Sequence, residues 1–207
     1  MSGEARNDLV RMPKQSRSQQ RVDMILSAAR KIIGERGSTN LSIADIASEA
    51  GITPGSIYQY FPNRSAVLAA LAEQYLNELG ERIAVVLDES PKDFASTVEK
   101  LDELIEVFFQ MNMKDPVMRD ILLGLATDKS LREMNRQDSE EKVRMFCAAF
   151  APVLTAEQQR EFPLTALLIV EFVEAVVRSS LDLPALEARR MIDRLKVMLR
   201  AVWLSVV

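Results

Sequence analysis

Apolar side chains recur three or four positions apart along most of the chain, the spacing that places them on one face of an α-helix. The first such run contains Val22, Leu26, Ala29 and Ile33 and stops at Gly37. The same spacing predicts further helices over residues 64–90, 94–115, 117–125, 128–150, 164–181 and 184–204. No stretch alternates apolar and polar positions as a half-buried strand does. The pattern therefore predicts an all-α protein.

Two short helices follow the first run. Ser42 precedes the apolar positions of one helix as an N-cap would, and Gly51 follows them as a C-cap. Thr53 and Pro54 can start the other helix, because proline is tolerated at the first helical position. Two short helices joined by a tight turn after a packing helix form a candidate helix-turn-helix. An ordinary corner between two bundle helices is the alternative.

The outward face of the second short helix carries no charge. At about 100° per residue, Gly55, Ser56 and Gln59 point away from the buried side. Tyr58 and Tyr60 flank this face, where a phenol can reach a phosphate oxygen. A short helix without an outward carboxylate is compatible with the major groove of an anionic duplex.

Charge is distributed unevenly. Residues 1–64 hold 9 basic and 6 acidic side chains, a net +3, and the remainder carries -7, giving the total of -4. Lys14, Arg17 and Arg21 would line one face if a helix begins this early, and they could then contact phosphate. A solvated tail without a binding role is the alternative. A basic front on an acidic body suggests two functions.

Composition excludes several kinds of chemistry. The chain has no histidine and one cysteine, Cys147, so it lacks the usual ligands of zinc, copper and iron–sulfur sites and the imidazole of serine or cysteine catalysis. No phosphate loop or dinucleotide fingerprint is present, and we expect no enzyme, cofactor or metal. No apolar stretch is long enough for a signal peptide or a membrane span. We therefore expect a cytoplasmic protein.

Residues 21–71, and especially LSIADIASEAGITPGSIYQYFPNRSAVLAAL, resemble the DNA-binding domain of the tetracycline-repressor (TetR) family of bacterial transcriptional regulators. The resemblance covers about a quarter of the chain. The matching elements are Ala28–Ala29, Gly37, Ile46–Ala47, Ala50–Gly51, Ile57–Tyr58, Tyr60–Phe61 and Leu68.

The resemblance implies a helix-turn-helix over residues 42–61 with residues 53–60 as recognition helix. It implies phosphate contacts from Tyr58, Tyr60, Arg64 and Ser42, and a base-reading face formed by Thr53, Gly55, Ser56, Gln59 and Ala44. The resulting domain organisation is a basic flexible arm over 1–17, a three-helix DNA-binding domain over 18–64, and a larger effector-binding and dimerisation domain over 65–207.

The resemblance also implies a homodimer formed by the last two helices. The apolar stripe from Ala188 to Val206 gives a physical reason, because it exceeds what a monomer needs to bury. Packing of this stripe inside its own subunit is the alternative. The interface is expected to contain Phe172, Val176, Ile192, Leu195, Leu199, Val202 and Trp203.

A ligand pocket is expected where large, adaptable apolar residues concentrate. These residues are Phe108, Phe109, Met111, Met118, Leu122, Met145, Phe146 and Phe150. They can equally be plain core. Glu171 and Glu174 interrupt an apolar helix and could hold a cationic ligand, although an ion pair between Glu174 and Arg178 also explains the latter acid. The charged stretch 136–144, with opposite charges four apart, is expected to be solvated.

The leading hypothesis is a ligand-responsive repressor. A dimer would present two recognition helices about 34–36 Å apart to a pseudo-palindromic double-stranded operator, and a small hydrophobic effector would release it. The alternatives are a cofactor-dependent or carboxylate-based helical enzyme, and a helical bundle that binds a partner through a helix-turn-helix no longer used on DNA.

Overall fold

The computed structural model describes the backbone of residues 14–127 and 131–206 and the side chains of residues 17–125 and 131–203. This part of the chain contains no strand, so the all-α prediction is confirmed. None of its helices combines the length and apolar character needed to cross a bilayer. The α-helices are α1 (Lys14–Arg36), α2 (Ile43–Ala50), α3 (Pro54–Tyr58), α4 (Arg64–Leu87), α5 (Phe94–Lys114), α6 (Pro116–Thr127), α7 (Arg132–Phe150), α8 (Ala156–Ser180) and α9 (Ala185–Val206).

α1 begins about two turns earlier than the apolar pattern indicates. The residues before Val22 are polar and carry no periodic signal, yet the helix extends back to Lys14. Of the flexible arm predicted for residues 1–17, residues 1–13 lie outside the described part of the chain. Residues 14–17 form the first turn of α1. Lys14, Arg17 and Arg21 are therefore all helical.

α1, α2 and α3 pack around a common core to which the start of α4 contributes. Ile25 of α1, Ile46 of α2, Ile57 of α3 and Val67 of α4 are completely buried. Each buried isoleucine contributes about 1.5–3 kcal/mol relative to an exposed one. This core fixes α3 with one face inward and the other at the surface.

α5 to α9 and most of α4 form a second, larger helical domain. Glu106 of α5 accepts hydrogen bonds from Arg189 and Lys196 of α9 at 2.7 and 2.9 Å, which ties these two helices together. An aromatic cluster joins the ends of α7, α8 and α9, with neighbouring ring centroids 5.5–6.2 Å apart. Its members are Phe146, Phe150, Phe162 and Trp203.

α8 begins eight residues before the start predicted from the apolar pattern. Thr155 and Gln158 form a capping box, in which each side chain bonds the backbone N–H of the other residue. Pro163 lies inside the helix. Proline lacks an N–H and usually interrupts a helix, so the sequence suggests a break where the structure continues.

The apolar stripe of α9 faces the interior of its own chain. Ile192, Leu195, Leu199 and Trp203 are only 0–3% exposed in the single chain, because α9 packs against α5 and α8. These four residues, predicted for an interface between two copies, belong instead to the intramolecular core. Side chains buried in their own subunit have no surface left to contact a second copy. For these four residues the alternative interpretation, packing inside the subunit, is therefore the correct one.

α6 connects the two domains. Its N-cap region holds Asp115, which pairs with Arg30 of α1 at 2.7 Å. One turn further, Asp120 accepts a hydrogen bond from the backbone N–H of Ser38 at 2.9 Å. Movement of α6 would therefore act directly on the end of α1 and the turn that follows it.

Candidate nucleic-acid interface and effector cavity

The helix-turn-helix is built by local capping. Ser42 caps α2, since its hydroxyl accepts a hydrogen bond from the N–H of Asp45 at 3.1 Å. Gly51 ends α2 with a φ of 65°, the left-handed region that favours glycine. Thr53 caps α3 by accepting from the N–H of Ser56 at 3.3 Å, and Pro54 occupies the first helical position. These start and stop signals agree with those predicted.

α3 presents the predicted outward face to solvent. Gly55, Tyr58 and Gln59 are exposed, and Ser56 is half-buried. Thr53 and Ala44 are exposed as well. The helix ends at Tyr58 rather than at residue 60, so the last two residues of the predicted recognition helix follow it as a turn.

Three of the residues predicted to contact phosphate lie on α1. Arg17 is exposed, and Arg21 is half-buried with its guanidinium 3.7 Å from the sulfur of Met24. The side chain of Lys14 lies outside the described part of the molecule. Tyr60, on the flank of the outward face, is half-buried against the core. The roles of these residues on DNA remain predictions.

Arg64 turns towards α6. Its guanidinium donates to the backbone carbonyl of Ser38 at 2.5 Å, and the N–H of Ser38 is bound by Asp120. Arg64 and Asp120 line a cavity of about 530 Å³, open solvent included, between the two domains. A phosphate contact by Arg64 would require its side chain to leave Ser38, and this contact remains a prediction.

A second cavity lies inside the larger domain, among α4, α5, α6, α7 and α8. It holds about 640 Å³ of empty space, including open solvent at its mouth. Its wall is largely apolar, with Leu79 and Ile83 of α4, Leu104 of α5, Leu125 of α6 and Val170 of α8. We call this space the effector cavity.

The structure brings three of the predicted pocket residues, Phe108, Leu122 and Phe146, to the wall of the effector cavity. The other six lie elsewhere. Four are buried in the surrounding core, Met145 is half-buried, and Glu171 is exposed and accepts from the hydroxyl of Ser139. The four core residues are Phe109, Met111, Met118 and Phe150.

Sequence reasoning missed most of the polar lining. Tyr75, Asn135, Lys142 and Glu174 line the effector cavity and supply all of its polar side chains among the described residues. The interruption of apolar α8 by Glu174 was the one available signal, and the predicted ion pair with Arg178 is present at 2.9 Å. Lys142 gave none, because it belongs to the charged stretch of α7.

That charged stretch is only partly solvated. Arg136 and Glu140 pair on the exposed side of α7 as expected. Asp138 and Lys142 also pair, but their side chains are only 14% and 12% exposed. Burial raises the pKa of Asp138, and the charge of Lys142 offsets part of that rise. The expectation that the whole stretch is solvated is therefore wrong.

An apolar surface remains on the outer side of the last two helices. Leu164 and Leu168 are 67% and 69% exposed and lie one turn apart on α8. Of the predicted dimer residues outside the core, Phe172 and Val202 belong to this surface and Val176 is half-buried. We call it the α8–α9 apolar face. Its exposed members are Leu164, Leu167, Leu168, Phe172, Val197, Met198 and Val202.

An exposed helix-turn-helix joined to a helical domain with an internal apolar cavity defines the class of helix-turn-helix regulatory proteins. Comparison with known families agrees. The family model described as "Tetracyclin repressor-like, C-terminal domain" matches residues 95–204, more than half of the chain, and that of "Bacterial regulatory proteins, tetR family" matches residues 25–71. The chain belongs to the TetR family.

Similar proteins include two from Bacillus subtilis. The chain is 33% identical over 126 residues to the uncharacterized HTH-type transcriptional regulator YvdT, covering 59% of this chain and 60% of that protein. It is 29% identical over 134 residues to a protein named fatty acid metabolism regulator protein, covering 63% and 64%. The matched region thus spans about three fifths of the length of these curated relatives.

A solved structure shares the fold over nearly the whole chain. A transcriptional regulator from Rhodococcus sp. Rha1 superposes with a TM-score of 0.71 at 16% identity, covering 89% of this chain and 96% of that one. At this identity the likeness concerns the fold.

Proposed function

We propose that the protein is a ligand-responsive transcriptional repressor that binds a double-stranded operator as a homodimer, acts in the cytoplasm, and is released by a small hydrophobic effector. The observation that carries the proposal is the exposed, uncharged face of α3, held outward by a buried core. Such a face can enter a major groove without repelling phosphates.

Base reading is assigned mainly to Gln59, which is exposed at the end of α3. Its amide can donate to and accept from adenine in the major groove. Exposed Tyr58 and exposed Arg17 are assigned contacts with phosphates, and such contacts set affinity and register without reading sequence.

Dimerisation is assigned to the α8–α9 apolar face. Leu164, Leu168 and Phe172 follow one another at intervals of four along α8, so a second copy can cover them together. This assignment keeps Phe172 and Val202 from the sequence-based interface and replaces the buried stripe of α9. Two copies joined here carry two recognition helices, as a pseudo-palindromic operator requires.

Release by an effector is assigned to α6. Leu122 and Leu125 of this helix line the effector cavity, while Asp115 and Asp120 hold α1 and the turn after it. A ligand that binds better to one position of α6 would favour one placement of the helix-turn-helix. The apolar wall and the relative named fatty acid metabolism regulator support a hydrophobic effector.

The proposal is tested by selecting genomic fragments from the source organism that the purified protein retains, with and without hydrophobic ligands. Gln59→Ala should relax base preference by about 1–3 kcal/mol per contacted pair. Val85→Ala, on a 77% exposed side chain of α4, is the matched control and should change nothing. Failure to retain any fragment at low ionic strength would refute the proposal.

A further inference from the structure

Three of the four polar side chains of the effector cavity, Asn135, Lys142 and Glu174, lie on α7 and α8, and the charges there are balanced. Lys142 pairs with Asp138, and Glu174 pairs with Arg178. Two positive and two negative side chains therefore cancel. Glu171, one turn from Glu174, is exposed, bound by Ser139 and not part of the cavity wall. Burial raises the pKa of Glu174, and the negative charge of Glu171 adds to that rise.

An ion added to this group would upset its charge balance. Lys142, Asp138 and Glu174 are each only 12–14% exposed, and the rest of the cavity wall is largely apolar. A carboxylate or an ammonium would lose its hydration there and leave one charge uncompensated, which is costly in a poorly hydrated space. A neutral molecule avoids this cost.

Lys142 supplies spare hydrogen-bond donors at this end of the cavity. Lys142 has three N–H groups, of which the structure pairs one with Asp138. Both carboxylate oxygens of Glu174 are engaged, by Arg178 at 2.9 Å and by Asn135 at 3.5 Å. Tyr75 and Asn112 satisfy each other at 3.2–3.3 Å. A ligand oxygen would therefore be received by Lys142.

The lining residues of α4 give the extent of the cavity wall along that helix. Tyr75 and Ile83 both line the cavity, and these eight helical steps cover about 12 Å along α4. An extended chain advances roughly 1.2 Å per bond, as the protein backbone does. An alkyl chain of roughly ten carbons would span this distance.

We propose that the effector is an uncharged amphipathic molecule, with an alkyl-like body among α4, α5 and α6 and one neutral acceptor oxygen, such as that of an alcohol or an ester, bound by Lys142. Lys142 is then the residue that determines specificity for the head of the ligand. This inference rests on the proposed function only in treating the cavity as the effector site.

The test is a matched series of decanol, methyl decanoate, decanoate, decylamine and decane at neutral pH. Binding is followed by calorimetry and by fluorescence of Trp203, the single tryptophan, whose ring packs on Phe150 next to the lining residue Phe146. Decanol and methyl decanoate should bind at least about tenfold more tightly than either ion, a difference of one decade in Kd. An ion that binds as tightly, decane that equals decanol, or no binding by any compound would overturn the inference.

Variants separate the charge balance from mere packing. Asp138→Asn removes one negative charge, so decanoate should gain affinity over decanol. The double variant Asp138→Asn with Lys142→Met removes the pair together, and decanol should then bind no better than decane. Lys114→Met, at an exposed position of α5, is the matched control and should preserve the wild-type order. An unchanged ligand order in both test variants would refute the role of Lys142.

DNA binding is measured separately on the same preparation. Protein that retains genomic fragments but binds none of the five compounds overturns only the present inference. Protein that binds decanol but retains no fragment overturns the proposed function and leaves the ligand assignment standing.

Discussion

Replacing Arg64 by alanine separates a structural role from a role on DNA. In the structure its guanidinium donates to the carbonyl of Ser38, whose N–H is in turn bound by Asp120. The three residues thus link the start of α4, the turn after α1, and α6. The resemblance to the TetR family implies that the same guanidinium also contacts a phosphate of bound DNA.

The structural loss can be estimated. A hydrogen bond from a charged donor contributes about 1.5–3 kcal/mol. For a chain of this size each kcal/mol shifts the melting temperature by about 2–4 °C. Arg64→Ala should therefore lower the melting temperature by roughly 3–12 °C. Thermal unfolding followed by circular dichroism measures this shift.

The loss on DNA has a different signature. Each phosphate neutralised by a basic side chain contributes about 0.9 to the slope of log binding constant against log salt. If Arg64 contacts one phosphate in the complex, Arg64→Ala should flatten that slope by about 0.9 for every bound fragment. Fluorescence anisotropy over a series of salt concentrations measures the slope.

Asp120→Asn is the matched control. It weakens the bond to Ser38 without removing a positive charge, so stability should fall while the salt slope stays at the wild-type value. An Arg64→Ala slope equal to that of wild type would refute the phosphate contact and leave Arg64 as a link between the domains.

Three further predictions concern assembly, acid stability and backbone conformation. The double variant Leu164→Glu with Leu168→Glu should yield monomers on analytical ultracentrifugation. The control Leu195→Ala should lower the free energy of unfolding by about 2–5 kcal/mol and leave association intact. A dimer that survives the double change would place the interface elsewhere. Burial raises the pKa of Glu106, but hydrogen bonds from its basic partners on α9 outweigh this effect and lower the pKa to about 2. Because the pKa in the folded state is depressed from 4.5, the ionised carboxylate stabilises the fold above that value. In thermal melts, the stability advantage of wild type over Glu106→Gln should be full above about pH 5 and vanish as the pH falls towards 2. Gly51→Ala should destabilise by about 1–2 kcal/mol in denaturant unfolding through its φ of 65° alone, since nothing lies within 4 Å of the added Cβ; a neutral result would contradict the left-handed cap.

The helix-turn-helix was predictable because its signals are local. Ser42, Gly51 and Thr53 each act on backbone groups within a few residues of themselves. Capping residues stand next to the helix ends that they stabilise, so the sequence alone reveals them. The outward face of α3 followed from helical periodicity, since Ile57 at the centre had to be buried.

The α8–α9 apolar face was not predictable in the same way. Periodicity shows which residues share a face, but α9 carries apolar residues on two sides, with Leu195 and Leu199 on one and Val197 and Met198 on another. Which side meets α5 and α8 depends on residues distant in sequence. The more regular stripe fills the core, and the less regular one is left exposed.

The polar end of the effector cavity could not be predicted from the sequence for a related reason. Asp138 and Lys142 stand four apart on a helix rich in charges, a pattern typical of a solvated surface. The pair is buried because α7 packs against α4 and α8. The same two residues on an exposed helix would contribute little to specificity, since solvent screens their charges.

The contact between α6 and the turn after α1 is even harder to predict from the sequence. Asp120 acts on the backbone N–H of Ser38, and a backbone group has no side-chain signature by which its partner could be identified. Leu122 and Leu125, a few residues further along α6, face the effector cavity. Because one short helix carries both sets of contacts, a ligand that displaces these leucines must also alter the contact at Ser38 unless α6 deforms. The proposed coupling between the cavity and the DNA-binding domain therefore depends on the stiffness of α6.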